Sequence, residues 1–575
     1  MCVSEKPTVT TERVDDIPVL LAFAKRMGLP ELLDEHFEQH GNWQGISFGK
    51  MLTGWLGHIL SEGDHRLNRA QDWAGKRLET LRSSLGLELE ALDFSDDKLA
   101  LGLDRLSVDE HWAAFEADLN RRTLRVYDLQ QKCVRIDTTT ASGYWNVTED
   151  GLFQFGHSKD HRPDLAQLKV VLATLDPLAM PVATLVVRGE KADDPLYIPA
   201  IDQVRKGLDR RGLLYIGDCK IMSLATRAHL AAGKDKYLGP FSTVQIPQSA
   251  LDTYLEPVWS GKQALTTVER PGTTGQLEKI AEGYELCSVQ VATIKDEEIT
   301  WNERRLVLRS LAHAKAAEEA LLSRLEKAKA ALEALIARKQ GKELIREPAV
   351  LNQMVEAILK KYEIVGLLQV EVTEEVRERH IRKYKDRPAG IQIERKLVIV
   401  TTKDADAIQK AIFRLGWRVY GTNAPESELT LQQAVLAYRE EYLVERCFGR
   451  LKGKPLSLTP MYLQDDQRAT GLTRLLSIGL RVLTLFEHVA RRHLEEKGEK
   501  LSGLYFGNPK RATNRPTTEA MLLAFKDIFL NFVMVGDQIY RVISPLSKLQ
   551  QEILTLLDLP GSIYDNLSVD SANPT

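Results

Sequence analysis

The sequence lacks a paired-cysteine framework, an excess of charge of one sign and a long uninterrupted apolar run. Its 575 residues contain five cysteines with no CxxC pair, which argues against a disulfide scaffold and a cysteine-ligated zinc site. Lys and Arg number 77 against 80 Asp and Glu, so any nucleic-acid site must be a local patch. No apolar signal segment opens the chain, and charges and prolines interrupt the most apolar stretch, 168–187. We therefore expect a cytoplasmic protein without a membrane span.

The chain does contain enough apolar residues for several cores. Hydrophobic residues make up 43% and charged residues 27%, and at roughly 150 residues per domain the length predicts about four domains. Apolar residues at helical spacing from residue 17 onward predict a helical N-terminal domain, 1–128. This domain could bind DNA ends, although no helix-turn-helix spacing stands out. A purely structural helical domain is the alternative.

The apolar period changes after the N-terminal helices. Residues 129–224 show the order strand, strand, strand, helix, strand, which predicts an α/β layer with an antiparallel front edge. Residues 225–415 mix strand-like pieces with a charged helical segment at about 313–339. Helical patterns return over 416–500. The apolar spacing that follows predicts a C-terminal helical region and tail over 501–575.

Two aspartates stand out in apolar surroundings. Asp137 lies inside the β-branched run CVRIDTTT, and Asp218 ends the apolar run LLYIGD. A carboxylate on a buried strand is costly unless it is paired or bound to a metal. One such residue often only binds turn amides, but two on strands of one sheet favour a metal site.

A third acid, Glu445, lies on a predicted helix over 431–452. Tyr438, Glu441, Glu445 and Lys452 stand at offsets of 0, 3, 7 and 14, which return to one face of a continuous helix. On spacing alone, a solvated helix with ordinary ion pairs is the favoured explanation. The segment also carries a set of basic residues: Arg439, Arg446, Arg450 and Lys454.

In order, RIDTTT, IGD and YREEYLVERCFGRLK resemble the three catalytic segments of a DDE transposase of a bacterial insertion sequence. The similar proteins form the cut-and-paste superfamily with the YREK signature: Tyr, two residues, Arg, three residues, Glu, six residues, Lys. The signature maps to Tyr438, Glu441 in place of Arg, Glu445 and Lys452. GHSKDHRPDLAQ, residues 156–167, resembles the segment after the first catalytic strand. The departure at Glu441 removes a cation that the resemblance would place on a DNA phosphate.

This resemblance implies a fold for roughly residues 130–500. We expect an α/β ribonuclease-H-like catalytic core, a mixed sheet with helices, interrupted by a strand-rich insertion domain. The halves of the core would be 129–224 and 416–500, and the insertion 225–415. A helical N-terminal domain and a helical C-terminal region would flank them.

The resemblance also implies an activity and a set of site residues. The protein would bind terminal inverted repeats and target sites in double-stranded DNA and catalyse metal-dependent cleavage and strand transfer. It would act as a homodimer on paired ends, in the bacterial cytoplasm and on the nucleoid. Asp137, Asp218 and Glu445 would be the catalytic residues and would hold two Mg²⁺ ions about 3.5–4 Å apart, with Mn²⁺ as a substitute. The implied DNA-binding residues are Tyr438, Arg439, Lys452, Lys159, His161, Arg162, Arg446 and Arg450.

Three other functions remain open on the sequence. The chain could be a catalytically inactive, transposase-derived DNA-binding protein, for which Glu441 leaves room. It could be a ribonuclease-H-like nuclease without strand transfer. It could also be a helical scaffold built on the charged segment at 313–339.

Overall fold

The computed structural model describes residues 8–38, 41, 43–272, 275–337, 345–382, 390–535 and 538–568. The end of the predicted charged helix, 338–339, and the last residues of the predicted tail, 569–575, lie outside the described residues.

The described residues form nineteen α-helices and two short 3-10 helices, Ala91–Phe94 and Asp194–Leu196. In chain order the α-helices are α1 (Ile17–Arg26), α2 (Leu29–His36), α3 (Phe48–Glu62), α4 (Leu67–Gly75), α5 (Leu78–Leu85), α6 (Asp96–Leu106), α7 (Asp109–Val126), α8 (Tyr197–Leu208), α9 (Leu224–Ala232), α10 (Gln248–Trp259), α11 (Leu311–Ile336), α12 (Pro348–Lys361), α13 (Ala405–Phe413), α14 (Leu431–Arg439), α15 (Tyr442–Lys452), α16 (Asp466–Lys497), α17 (Thr518–Leu523), α18 (Lys548–Leu556) and α19 (Ser562–Asp565).

Sixteen β-strands occur in the same described ranges. They are β1 (Thr8–Arg13), β2 (Cys133–Gly143), β3 (Ala166–Leu175), β4 (Met180–Arg188), β5 (Leu214–Ile216), β6 (Lys236–Pro240), β7 (Thr266–Pro271), β8 (Leu277–Ile294), β9 (Glu297–Ser310), β10 (Leu368–Ile381), β11 (Gly390–Lys403), β12 (Trp417–Thr422), β13 (Leu501–Ser502), β14 (Ala512–Thr513), β15 (Phe529–Val535) and β16 (Gln538–Ile543). The chain is therefore a mixed α/β protein with many helices.

The chain divides into two compact units. Unit 1 comprises Met1–Gly239, Gln290–Trp301 and Ala437–Thr575, and unit 2 comprises Pro240–Val289 and Asn302–Leu436. Unit 2 overlaps the predicted insertion domain, 225–415, but extends beyond it at its C-terminal end. The N-terminal helices belong to unit 1 together with the first strands and do not form a unit of their own.

The strands of unit 1 that carry the aspartates follow the order β4-β3-β2-β5-β6. β2, β3 and β4 are antiparallel neighbours, whereas β5 runs parallel to β2 and β6 runs parallel to β5. β3 is buried along its whole length, which explains its nearly continuous apolar sequence. The order of strand, strand, strand, helix and strand matches the order of the sequence patterns in this region.

The long helix α16 packs against β4 and α6. Among the described residues it is the one helix long and apolar enough to cross a membrane, but 94% of its apolar window is buried inside the protein. It also carries buried charges; Arg481, for example, donates to the Glu116 carboxylate at 2.6 Å. Burial and internal pairing are typical of a core helix of a globular protein.

The C-terminal region contains strands as well as helices, so the helical prediction for 501–575 is only partly right. β15 pairs antiparallel with β16 and with β1 from the other end of the chain. Thr11 and Asn531, which are partners in this sheet, are 520 residues apart. A local apolar pattern carries no information about a partner so far away in the sequence. The segment after α17 becomes a strand because it pairs with β1.

Unit 2 contains strands in the order β12-β9-β8-β7 and a separate two-stranded ribbon, β10 with β11. The predicted charged helix is α11, which begins two residues before the predicted start at 313. Its buried face contacts α12 and the base of the ribbon through a small apolar cluster. The cluster comprises Leu321, Leu325, Ala328, Ile364 and Leu368.

Candidate active site

Asp137 lies on β2, the middle strand of the five in unit 1. Its carboxylate is about one-quarter exposed. Oδ1 accepts hydrogen bonds from the Thr138 amide at 2.7 Å and from Lys159 Nζ at 3.4 Å. Burial raises the pKa of Asp137, the charge of Lys159 opposes that rise, and the charge of Asp218 adds to it. The site therefore holds negative charge close to an aspartate that is already partly desolvated.

Asp218 follows the end of β5 and is held by two donors. The hydroxyl of Tyr197 donates to Oδ1 at 2.7 Å, and the amide of Lys220 donates to the same oxygen at 2.9 Å. Tyr197 is almost fully buried on α8, and burial, followed by the charge of Asp218, holds its pKa well above the usual range. The phenol thus remains a donor at neutral pH. Sequence reasoning missed Tyr197, because nothing in the local pattern around α8 marks it.

Strand register places the two aspartates side by side. β2 and β5 are parallel and pair Arg135 with Ile216. Asp137 lies two residues further along β2, and Asp218 lies two residues beyond Ile216, just after the end of β5. Both line one cavity, whose wall comprises Arg135, Ile136, Asp137, Ile216, Gly217, Asp218, Tyr438, Glu441 and Val444.

The predicted continuous helix over 431–452 is wrong, because a turn separates α14 from α15. The amide of Glu441 donates to the Tyr438 carbonyl, three residues back, at 3.2 Å. In a continuous helix it would use the Ala437 carbonyl, but the Arg135 guanidinium donates there instead. Arg135 is 302 residues away in sequence, so helical spacing could not reveal this competition. The single helical face predicted for the signature residues is therefore divided between two helices.

The two glutamates of the signature segment lie in different environments. Glu441 lines the cavity and is half-buried, whereas Glu445, in the first turn of α15, is exposed. Burial raises the pKa of Glu441, and the charges of Asp137 and Glu445 raise it further, while a hydrogen bond from Tyr438 lowers it. Of the two glutamates, the structure places Glu441, and not the predicted third acid Glu445, on the cavity wall with Asp137 and Asp218.

Glu441→Gln is expected to raise the melting temperature at about pH 7 by roughly 1–4 °C. The pKa of Glu441 in the folded state lies above its ordinary value of 4.5, so stability is lost as pH rises between the two values. Glutamine removes the charge responsible for that loss. Below the ordinary pKa both states are protonated, and the substitution should have little effect. Thermal melts at about pH 7 and about pH 3.5 measure this difference.

The neighbouring Glu440 provides a matched control. It is half-exposed, and its carboxylate lies 3.7 Å from the Arg135 guanidinium. Glu440→Gln removes the same charge from an attractive environment, so the melting temperature should stay the same or fall. If Glu441→Gln also leaves the melting temperature unchanged or lowers it at neutral pH, the charge of Glu441 does not reduce the stability of the folded protein.

Two of the predicted DNA-contacting lysines lie over β2 beside the cavity. Lys159 Nζ donates to the carbonyl and the hydroxyl oxygens of Thr138, both at 2.6 Å. Lys452 Nζ donates to the Asp160 carboxylate at 2.6 Å and to the Thr140 carbonyl at 3.3 Å. The two threonines are alternate residues of one strand, so their side chains share a face of the sheet. The structure therefore brings the lysine of the signature to the same strand as the first aspartate.

The other predicted contacts lie at varying distances from the cavity wall. Tyr438 is part of the wall, and Arg439 is half-buried at the end of α14. His161 lies in a loop with a φ of 56°. Arg162, in the same loop, forms a salt bridge with Asp164 at 2.7 Å on the surface. These loop residues remain accessible, but no local geometry assigns them a role.

An internal ion-pair network holds Arg446 and Arg450, which argues against their prediction as DNA contacts. Glu487 on α16 accepts from Arg446 Nη1 at 2.7 Å and from Arg450 Nη2 at 2.6 Å, and Glu519 accepts from Arg450 Nε at 2.7 Å. Arg450 is only 7% exposed, whereas Arg446 keeps about a third of its side chain in solvent. Spacing on α15 could not distinguish a face that packs on α16 from one that faces DNA.

Arg450→Gln is expected to lower the free energy of unfolding by about 2 kcal/mol, because it removes charge-assisted hydrogen bonds to the buried Glu487, which keeps Arg446 and Arg491, and to the partly exposed Glu519. Lys452→Gln, two residues away, should cost about 1 kcal/mol, since the half-exposed Asp160 regains water. Chemical denaturation measures both. DNA affinity should show the opposite ranking, with Lys452→Gln the weaker binder. A stable Arg450→Gln variant that binds DNA poorly would restore the DNA-contact prediction.

The donor chemistry of the cavity fits a divalent cation, because carboxylate oxygens are the ligands that Mg²⁺ prefers. A cation would offset the burial and the neighbouring negative charges that raise the pKa of Asp137 and Glu441. Within the described ranges, however, no group of three or more His, Cys, Asp and Glu side chains is arranged to hold a metal ion. The cavity has a volume of about 10 Å³, which is room for one water-sized sphere. Side-chain movement is therefore needed before two ions fit.

No protein-family model matches the chain, and no curated protein matches it. Among solved structures, the chain is similar to a piggyBac transposase in a synaptic complex with hairpin DNA, studied by cryo-electron microscopy. The two chains are 9% identical, and the match covers 97% of this chain and 87% of that one, with a TM-score of 0.34. At this TM-score the folds differ too much for the likeness to assign residues or an activity.

Proposed function

We propose that the protein is a DNA transposase, which binds terminal inverted repeats and catalyses metal-dependent cleavage and strand transfer. The observation that carries this proposal is that Asp137 on β2 and Asp218, just after the parallel strand β5, line one cavity together with Glu441. The helix that carries Glu445, α15, begins directly after Glu441. The strand order β4-β3-β2-β5-β6, antiparallel and then parallel, supports the ribonuclease-H-like core that the sequence resemblance implies.

We assign Asp137, Asp218 and Glu445 as the ligands of Mg²⁺, with Mn²⁺ as a substitute. When bound, such ions activate water or a DNA 3′-hydroxyl for in-line attack at phosphorus and stabilise the leaving oxygen. The strands hold the two aspartates in place, and Tyr197 fixes one oxygen of Asp218. Glu445 is exposed and free of the cavity wall, so it can turn toward both the aspartates and DNA.

Glu441 has a different part in this proposal. It lies on the wall, and a hydrogen bond from Tyr438 restrains its carboxyl group. Its charge adds to the negative potential that attracts a cation, and it stands where the signature has an arginine. Other residues of the site therefore make the phosphate contact that this arginine makes in the signature.

Lysines 159 and 452 are the cations best placed to hold phosphates beside the scissile bond. Lys452 is paired with Asp160, and a DNA phosphate would replace that carboxylate as its partner. Arg446 keeps about a third of its side chain in solvent. We retain flanking DNA contacts for Tyr438, Arg439, His161 and Arg162, and not for the buried Arg450.

The proposal includes an assembly and a location. Cut-and-paste chemistry acts on two element ends, so we propose a homodimer on paired DNA ends. The enzyme would act in the bacterial cytoplasm, on the nucleoid.

The test is a cleavage assay with the full-length protein and linear DNA that carries the sequences flanking its own gene. With Mg²⁺ we expect cuts at the ends of the flanking repeats and joined products with target DNA, and neither with a chelator. Cut but unjoined DNA would favour a nuclease without strand transfer. Specific binding without cleavage in Mg²⁺ or Mn²⁺ would favour an inactive DNA-binding protein. Absence of both binding and cleavage would overturn the proposal.

A further inference from the structure

A short structured loop between β13 and β14 presents an aromatic side chain to solvent. The strands pair Leu501 with Thr513, and the buried side chains of Leu501 and Leu504 anchor the loop to the protein. Phe506, two residues further on, is 86% exposed. The chain around it is ordered by turn hydrogen bonds, such as that from the Asn508 amide to the Tyr505 carbonyl at 3.1 Å. This phenylalanine therefore projects from a fixed base.

The same loop concentrates positive charge. Residues 500–518 contain four basic residues and no acidic one, in a chain whose formal net charge is −3. Lys510, Arg511 and Arg515 are exposed, and in the part of the chain that the structure describes no salt bridge reaches them. The Arg511 guanidinium lies 4.0 Å from the centre of the Tyr505 ring, which orients it beside Phe506.

The loop contacts α16, which in turn packs against α15, the helix that carries Glu445. Arg491 on α16 donates to the Pro516 carbonyl at the end of the loop at 3.0 Å. Arg491 also pairs with Glu487 at 2.6 Å, the carboxylate that holds Arg446 on α15. Burial lowers the pKa of Arg491, and the positive charges of Arg446 and Arg515 lower it further. Arg491 therefore links the loop to Glu487 and, through that carboxylate, to Arg446 on α15.

We propose that this loop is a DNA-binding element, in which Phe506 stacks on or between bases and Lys510, Arg511 and Arg515 hold the adjacent phosphates. An apolar ring that projects among unpaired cations matches the chemistry of nucleic acid, which offers flat apolar bases next to phosphates. A ring in a core-forming position would be covered, as Leu501 and Leu504 are. The inference rests on the proposed function, since it needs DNA at the site, and it adds a contact outside the signature residues.

The experiment measures the affinity of the full-length protein for a fluorescein-labelled duplex of about 40 base pairs by anisotropy, at salt from about 50 to 200 mM. Phe506→Ala should weaken binding about five- to fiftyfold, with little change in the slope of log affinity against log salt concentration (the salt slope). Phe506→Trp should bind like wild type. Combined Lys510→Gln, Arg511→Gln and Arg515→Gln should lower the slope by about 2–3.

Two controls match these variants elsewhere on the surface. Val244→Ala truncates another fully exposed apolar residue. Combined Lys234→Gln, Lys262→Gln and Lys295→Gln removes three exposed charges from other loops. Val244→Ala should bind DNA within about twofold of the wild-type affinity. The triple lysine variant should change the slope of log affinity against log salt concentration by no more than about one-half, because the effect is local.

The outcomes separate this inference from the proposed function. If wild type binds DNA and the loop variants bind equally well, only the loop inference fails. If wild type binds no DNA, both fail. If Phe506→Ala abolishes binding to vesicles of phosphatidylcholine and phosphatidylglycerol while DNA affinity is unchanged, the loop serves a lipid surface and the inference is overturned.

Discussion

Asp137→Asn is expected to lower the rate of metal-dependent DNA cleavage by about a thousandfold or more, with DNA affinity changed by less than about threefold. Asparagine keeps the size of the side chain and an oxygen that can accept from the Thr138 amide, which lies at 2.7 Å. It removes the negative charge on which metal binding depends. The substitution leaves Asp218 and Glu441 on the cavity wall, and neither of them occupies this position on β2.

Unfolding cannot imitate this loss of cleavage. Burial raises the pKa of Asp137, so its charge is unfavourable in the folded state, and the asparagine variant should be at least as stable at neutral pH. A melt and an anisotropy titration on the same preparation measure stability and binding. Asp150→Asn, at an almost fully exposed position, is the control and should cleave at the wild-type rate. Wild-type cleavage by Asp137→Asn would remove the aspartate from the reaction.

Glu445→Gln is expected to reduce cleavage by about a hundredfold or more, and Glu441→Gln by about tenfold or less. The two glutamates differ in position and exposure, since only Glu441 lines the cavity. Glu445 is exposed and can reach a cation and DNA together, whereas Glu441 is half-buried and restrained by Tyr438. Its raised pKa also makes Glu441 the poorer ligand at the acidic end of the activity range.

Rate measurements across Mg²⁺ concentrations test this ranking. Glu445→Gln should require more Mg²⁺ for half-maximal activity, and Glu441→Gln should shift that requirement less. The opposite ranking would transfer the role of third acid to Glu441 and leave the two aspartates in place. If neither substitution affects cleavage, α15 does not contribute to the site.

Much of the first half of the site could be predicted from local sequence. Asp137 and Asp218 each interrupt an apolar, β-branched run, and a carboxylate is conspicuous there because its burial is costly. The strand and helix order between them also follows from local periodicity. That order places the two acids on adjacent strands, as the register of Arg135 with Ile216 describes.

The second half of the site depended on distant partners. Helical spacing put the signature residues on one face, but Arg135 captures the Ala437 carbonyl and the helix is interrupted. Spacing also grouped Arg450 with the DNA-facing cations, whereas Glu487 and Glu519 bind it inside the protein. Tyr197 has no local signal at all, since its role depends on where the chain brings Asp218.

By itself, the sequence determined the periodicity of the core elements, the two conspicuous aspartates and the local concentration of cations. These properties belong to short segments, in which burial and spacing act directly on neighbouring residues. Only the tertiary structure decided that Glu441 shares the aspartates' cavity, that Arg450 is internal and that the chain ends pair in one sheet. Each of these depends on contacts between residues far apart in the chain, because charge, hydrogen bonding and burial act through space.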